Sequence, residues 1–237
     1  MTGQQQVSAT AHAEPLLQAS GLIKSFGATP ALQGADLTVR DGEIIAVLGP
    51  SGSGKSTLLH CAAGILAPDA GSVRFDGSEL TTLRDAERSD LRRTAFGFVF
   101  QFGQLIDELT CLENVALPLR LAGIRRAGAD RVAREWLDRV EAGDLADRRP
   151  AEISGGQAQR VAVARALIHG PSVIFADEPT GALDSLSGEK VMSLLTRAVR
   201  QTGAALVLVT HEARVAAYSD REVVVRDGRT SATIAAS

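Results

Sequence analysis

The stretch Gly49-Pro50-Ser51-Gly52-Ser53-Gly54-Lys55-Ser56-Thr57 decides the fold of this chain. It matches the pattern G-x-x-x-x-G-K-[ST] and directly follows the apolar run Ile44–Leu48, so we predict a strand, a glycine-rich turn and a helix in that order. Its glycines let the backbone wrap a phosphate closely, with N–H groups and the positive end of the helix directed at the anion. Lys55 is expected to reach the β- and γ-phosphates, and Ser56 to offer its hydroxyl to Mg²⁺. The alternative, an ordinary glycine-rich turn, gives no reason for Lys-Ser at this spacing.

Composition limits the classes of function that remain open. The chain has 237 residues and a net charge of −3, with no dense cluster of Lys and Arg, so we expect no nucleic-acid partner. Its longest apolar runs are far shorter than the roughly 18 residues that a membrane span requires. Cys61 and Cys111 lack metal-ligand spacing and are interpreted as packed, reduced thiols. We therefore expect one domain with an insertion, and if the protein serves a membrane, another chain supplies the membrane spans.

The pattern along the chain divides it into three kinds of segment. Residues 1–15 are polar and lack apolar periodicity, which predicts a flexible tail. Residues 16–101 and 155–237 alternate strands and helices, beginning with short strands that favour a small antiparallel sheet. Residues 102–154 are helical and Arg-rich, which indicates an inserted helical subdomain. Phe26, upstream of the phosphate loop, is interpreted either as a stacking surface for adenine or as a core residue.

Polar side chains follow three apolar strands at the point where each strand ends. Gln101 follows one strand, Asp177 and Glu178 follow the next, and His211 follows a third. Because parallel sheets bind ligands at the carboxyl ends of their strands, we expect these groups near the phosphate loop. Asp177 could hold the Mg²⁺ shell and Glu178 could activate a water molecule, while His211 could contact a γ-phosphate, that water or Glu178. A polar cap is the alternative for Gln101, and a structural role is the alternative for His211.

A second helix start carries an unusual pair of glycines. Ser154-Gly155-Gly156-Gln157 has the S-x-x-Q spacing of a capping box, in which the two side chains satisfy the first helical N–H groups. The capping box does not explain the glycines, each of which costs up to about 1 kcal/mol relative to alanine inside a helix. We therefore expect something to approach this backbone closely, and a second anion is the simplest candidate.

Together these residues resemble the ATP-binding subunit of an ABC transporter, from Leu16 to Arg229. The matching motifs are Walker A (49–57), the Q-loop (Gln101), the signature (154–157), Walker B (173–177) with its catalytic base (Glu178), the D-loop (182–184) and the switch histidine (His211). The signature between Gln101 and Asp177 is specific to this family. The resemblance implies an α/β fold: a P-loop NTPase (RecA-like) core with an N-terminal antiparallel β subdomain and an inserted α-helical subdomain.

The resemblance also implies cofactors, partners and residue roles. ATP and Mg²⁺ are the expected cofactors, with Mg²⁺ held by Ser56, by Gln101 and, through water, by Asp177. A head-to-tail homodimer is expected, in which the site of each ATP is completed in trans by five residues of the partner copy, namely Ser154, Gly155, Gly156, Gln157 and Asp184. A separate transmembrane permease is expected to dock near residues 102–120, at the cytoplasmic face of a bacterial membrane.

Three further segments are similar to one subgroup of this family, the lipoprotein-releasing (LolD), macrolide-exporting (MacB) and cell-division (FtsE) ATPases. These segments are 98–102, 109–119 and 177–185. They imply an ATPase that drives export, or extraction of a hydrophobic or envelope-associated substrate. The alternative is an ATPase that moves a membrane partner to regulate an enzyme outside the membrane. Three positions depart from the family pattern: Phe26 for the usual Tyr, Ile153 for Leu, and Ala158 for a polar residue.

Overall fold

The computed structural model describes residues 14–233, so the tail predicted for residues 1–15 lies almost entirely outside the described residues. The strands are β1 (Leu17–Phe26), β2 (Thr29–Val39), β3 (Ile44–Leu48), β4 (Ala70–Phe75), β5 (Ser78–Glu79), β6 (Phe96–Phe100), β7 (Val173–Asp177), β8 (Ala205–Val209), β9 (Arg221–Arg226) and β10 (Arg229–Thr233). The helices are α1 (Lys55–Ala62), α2 (Asp85–Ala95), α3 (Cys111–Leu121), α4 (Arg126–Arg139), α5 (Gly155–Leu167), α6 (Ser185–Thr202) and α7 (Ala213–Ala216).

The strands form two sheets. A four-stranded antiparallel sheet has the order β2-β1-β4-β5, and a six-stranded sheet has the order β10-β9-β3-β8-β7-β6. Strands β6, β7, β8, β3 and β9 run parallel, and β10 returns antiparallel to β9. Within residues 14–233, no helix is both long and apolar enough to span a membrane.

Alternate residues of the parallel strands face two separate cores. In β3, Ile44 packs in the core that contains α3, α4, α5 and α6, whereas Ile45 and Val47 pack toward α1 and the antiparallel sheet. The same alternation recurs in β8, where Leu206 and Val207 face opposite cores. Both faces of these strands are thus buried, which explains why they appear in the sequence as continuous apolar runs.

The register aligns the carboxyl ends of four parallel strands. Phe100 of β6 lies opposite Asp177 of β7, Asp177 lies opposite Val209 of β8, and Val209 lies opposite Val47 of β3. The loops that follow these residues therefore leave the sheet side by side. This alignment brings the phosphate loop, the acidic pair, Gln101 and His211 to one edge.

The helices of the insertion begin with a buried asparagine that holds the preceding loop. The side chain of Asn114 is fully buried, accepts from the N–H of Ile106 and donates to the carbonyls of Ile106, Leu109 and Thr110. Thr110 and Glu113 then form a capping box at the start of α3. One face of α4 is apolar and buried, with Ala133, Leu137 and their neighbours inside the helical core.

Two further sequence predictions concern the first helix and the thiols. Helix α1 ends at Ala62, whereas its apolar spacing predicts an end near residue 66; positive φ at Gly64 closes the chain into a turn instead. Cys61 and Cys111 are both buried, as predicted. Burial raises the pKa of the Cys61 thiol to about 11, so this group stays protonated at neutral pH.

Candidate ATP site

The phosphate loop turns its buried polar groups inward. The Lys55 side chain is only 6% exposed, and its ammonium donates to the carbonyls of Gly49 (2.9 Å) and Pro50 (3.0 Å). The hydroxyl of Ser53 is also buried and has no hydrogen-bond partner among the described residues. A buried hydroxyl without a partner is unfavourable unless a ligand satisfies it. A cation and an unsatisfied hydroxyl on one loop fit a phosphate group.

Two of the loop glycines are required by the protein's own backbone. A Cβ at Gly49 would lie 2.2 Å from the carbonyl oxygen of Val225, and one at Gly54 would lie 2.3 Å from that of Ala31. A Cβ at Gly52 would meet no atom within 4 Å, although φ there is +76°. Gly49 and Gly54 therefore seat the loop against strands β9 and β2, and Gly52 supplies its left-handed turn on the open side.

Ser56 and Asp177 meet at the end of strand β7. The Ser56 hydroxyl donates to Asp177 Oδ1 over 3.1 Å. Burial raises the pKa of the Asp177 carboxyl above its usual value, and the hydrogen bond from Ser56 opposes that rise. No group of three or more His, Cys, Asp or Glu side chains that could hold a metal occurs among the described residues. One hydroxyl and one carboxylate fit Mg²⁺, which is commonly bound by one or two carboxylates together with substrate phosphates.

The second acid of the pair contacts His211. Nδ1 of His211 lies 3.1 Å from Oε1 of Glu178, and the N–H of Glu178 donates to the carbonyl of Val209 over 2.9 Å. A Cβ at Gly181 would lie 3.2 Å from Glu178 Oε2 and 2.9 Å from Gln101 Nε2. Gln101 and Glu178 therefore lie over the same glycine, where only a hydrogen side chain leaves room for both. His211 therefore contacts Glu178, one of the partners that the sequence left open for it.

The predicted signature begins α5 as a capped helix. Ser154 Oγ accepts from the N–H of Gln157 (3.3 Å), and the Gln157 side chain accepts from the N–H of Ser154 (2.8 Å). A Cβ at Gly156 would lie 3.1 Å from Cβ of Ser187, so packing against α6 favours glycine there. Gly155 is exposed and meets only Leu183, at 3.5 Å. Close approach by a ligand, which the sequence suggested for both glycines, stays a prediction.

The other two predicted ATP contacts lie at the surface. Phe26, at the end of β1, is 55% exposed, so it is not a core residue. Asp184 caps α6 by accepting from the N–H groups of Leu186 (3.1 Å) and Ser187 (3.0 Å). Hydrogen bonding from the Ser187 side chain, together with these N–H groups, holds the pKa of the Asp184 carboxyl below its usual value.

A groove of about 480 Å³ lies beside strand β6 and is lined mainly by residues of β6, α2, α3 and α5. Its apolar lining includes Phe98, Phe100 and Leu121, and Leu121 is 66% exposed. Its basic lining consists of Arg92, Arg93, Arg165 and His169. Sequence reasoning missed this basic lining, because Arg92 and Arg93 lie in α2 whereas Arg165 and His169 lie in and just after α5, and no local pattern joins the two pairs.

Residues 32–181 match the family model described as ABC transporter. The chain belongs to this family. It is 45% identical over 218 residues to the lipoprotein-releasing system ATP-binding protein LolD of Geobacter metallireducens, which covers 90% of this chain and 97% of that protein. It is 44% identical over 218 residues to the macrolide export ATP-binding/permease protein MacB of Marinobacter nauticus, covering 90% of this chain but 34% of MacB. The predicted resemblance to the LolD and MacB subgroup is thus confirmed.

Solved structures of ABC cassettes have the same fold. A dimeric structure of the cassette MJ0796 in a post-hydrolysis state, bound to ADP and phosphate, has a TM-score of 0.83 and 38% identity, covering 91% of this chain and 98% of that one. A second dimeric MJ0796 structure has a TM-score of 0.84 at the same identity and coverage. The predicted fold class is confirmed. The chain is an ATP-binding subunit of an ABC transporter and hydrolyses ATP.

Proposed function

We propose that this subunit energises a separate transmembrane permease that extracts or exports a lipoprotein or another hydrophobic, envelope-associated substrate. The observation that carries the proposal is the 45% identity to a lipoprotein-releasing ATPase across 97% of that protein's length. The relatives named above are release and export proteins, which favours transport over regulation of an enzyme outside the membrane. The subunit would work at the cytoplasmic face of a bacterial membrane, in contact with its permease.

The residues of the phosphate loop and of the strand ends have separate roles in ATP hydrolysis. Lys55 turns from its loop carbonyls to the β- and γ-phosphates, and the free hydroxyl of Ser53 accompanies it. Ser56, Gln101 and, through water, Asp177 would hold Mg²⁺, which neutralises charge on the phosphate oxygens when bound. Glu178 accepts a proton from the attacking water as the water oxygen bonds to the γ-phosphorus and ADP leaves. His211 orients Glu178 through its contact with Oε1.

Phe26 is proposed as the stacking surface for adenine, and its replacement tests where the base lies. Phe26→Ala should weaken ATP binding by about 1–3 kcal/mol, the range of base–aromatic stacks. Ile23→Ala is the matched control, because Ile23 is another exposed apolar residue of β1, at 43%. Calorimetric titration with ATP measures both variants. An unchanged affinity in Phe26→Ala would place the adenine elsewhere.

The groove beside β6 is proposed as the seat of the permease. Its Leu117 and Pro118 fall within the region 102–120 that the sequence suggested for docking, and its apolar floor continues to Leu121. An apolar groove with an exposed leucine at its rim suits an amphipathic segment of a partner protein. Basic groups at its edge would favour a segment that carries acidic residues.

Replacing Leu121 tests whether the permease docks in the groove and whether its substrate is a lipoprotein. In vesicles that contain the permease and an acylated lipoprotein, Leu121→Glu should abolish both co-purification with the permease and ATP-dependent release of the lipoprotein, because a carboxylate would be buried in an apolar contact. ATP affinity of the free subunit should not change. Ile124→Glu, exposed in the same region but outside the groove, is the control. Release that persists in Leu121→Glu, or that is equal for an unacylated substrate, would contradict the proposal.

A further inference from the structure

Helix α5 holds the loop that carries Gln101 at three backbone carbonyls. Gln159, which is 1% exposed, donates from Nε2 to the carbonyl of Phe100 over 2.7 Å. Arg165, two turns further along the helix, donates to the carbonyls of Gly103 and Gln104, each over 2.7 Å. Gln101 lies between these attachment points, so both ends of its loop are fastened to one helix. We call Gln159, Arg165 and the three carbonyls the α5 clamp.

The Arg165 contact is stronger than an ordinary surface hydrogen bond. Arg165 makes no ion pair with a carboxylate among the described residues, and burial lowers the pKa of its guanidinium. A partly buried cation without a counter-ion depends on its hydrogen bonds for compensation. Its planar fork matches two successive carbonyls, a pairing that a lysine cannot reproduce.

The loop held by the clamp contains two residues with a left-handed backbone conformation. Gly103 has φ of +69°, and Gln104, which is not glycine, has φ of +46°. Left-handed conformations of residues other than glycine are unfavourable and persist where surrounding contacts impose them. Arg165 binds the carbonyls of both residues and so supports this conformation, together with the hydrogen bond from the Gly103 N–H to the carbonyl of Phe100 (3.0 Å).

We infer that Arg165 and Gln159 are positioning residues for ATP hydrolysis, which act by fixing Gln101 relative to the helix that begins with Ser154. This inference rests on the role proposed for Gln101 in the ATP site. Because Ser154–Gln157 begin the same helix, movement at the signature is transmitted to Gln101 through two side chains. Phe100 and Arg165 also line the groove, so a protein segment seated there contacts the clamp directly.

The test combines Arg165→Gln with Gln101→Ala in a double-mutant cycle of kcat. Alone, Arg165→Gln should lower kcat by roughly 2- to 30-fold, the range for residues that modulate coupling between sites. In the Gln101→Ala background it should have no further effect, because residues that act through one another are not additive. Arg165→Lys should give an intermediate loss. Gln159→Met, which removes the bond to Phe100, should give the same non-additivity.

Arg160 provides a matched control on the same helix. Its guanidinium also donates to backbone carbonyls, those of Val140 and Glu141, but these belong to the helical insertion rather than to the Gln101 loop. Any effect of Arg160→Gln on kcat should persist in the Gln101→Ala background. Amide hydrogen exchange supplies a readout without nucleotide: Arg165→Gln should raise exchange at residues 101–106, and Arg160→Gln at residues 140–143.

The possible outcomes distinguish a failure of this inference from a failure of the role proposed for Gln101. If Gln101→Ala slows hydrolysis and Arg165→Gln slows it by the same factor in both backgrounds, the inference is wrong and the role of Gln101 stands. Unchanged exchange at residues 101–106 in Arg165→Gln would also overturn it. If Gln101→Ala hydrolyses ATP normally, the role of Gln101 fails and the inference fails with it.

Discussion

Glu178→Gln should slow ATP hydrolysis by about 10²–10⁴-fold while ATP still binds, because it removes the proton acceptor and keeps the shape of the side chain. A glutamine oxygen can still accept a hydrogen bond from His211 Nδ1, now 3.1 Å from Glu178 Oε1. The space over Gly181 shared with Gln101 is also preserved. The loss therefore reports proton transfer rather than a collapse of the site.

Phosphate release in a single turnover and ATP binding by calorimetry should be measured on the same preparation. Glu212→Gln is the matched control: Glu212 is one residue beyond His211, but its carboxylate pairs with Arg214. We expect that variant to hydrolyse ATP as the wild type does. Near-normal turnover in Glu178→Gln would remove Glu178 from the reaction, and loss of ATP binding would assign it a different role.

The polar groups at the edge of the parallel sheet could be predicted from sequence, because the end of each buried strand is visible in the sequence. An apolar run followed by a polar residue marks the point where a buried strand leaves the core, as at Asp177 and His211. Parallel strands place such ends at one edge whatever their order, so the order of the sheet was not needed. The register, in which Asp177 lies between Phe100 and Val209, then brings the predicted groups together.

Other features depend on contacts between distant segments and could not be predicted. The α5 clamp joins Arg165 to carbonyls 61 and 62 residues earlier, and a backbone carbonyl leaves no mark in a sequence. Gly49 was predicted from its closeness to phosphate, yet the carbonyl of Val225 already excludes a side chain there. Likewise, the closeness of Ser187 to Gly156 could not be seen in the sequence.

Ser154→Arg should abolish ATP-dependent dimerisation in the Glu178→Gln background while the monomer still binds ATP. In the proposed head-to-tail dimer, each ATP lies between the phosphate loop of one copy and Ser154–Gln157 of the other, and two-fold symmetry gives two equivalent sites. Ser154 is exposed at the start of α5, so an arginine there would project bulk and charge into the interface. Because Glu178→Gln should hydrolyse ATP only very slowly, its dimer should accumulate and be measurable.

Arginine at this position also removes an N-cap, which costs about 1 kcal/mol of stability. Thr110→Arg controls for that loss, because Thr110 caps α3 with the same pair of capping-box hydrogen bonds. Light scattering with and without Mg·ATP should show Glu178→Gln and Glu178→Gln/Thr110→Arg as dimers only with nucleotide, and Glu178→Gln/Ser154→Arg as a monomer in both conditions. A Glu178→Gln protein that stays monomeric with Mg·ATP would contradict the shared site. So would a Ser154→Arg variant that dimerises and, with Glu178 intact, hydrolyses ATP normally, since the signature would then contact no partner nucleotide.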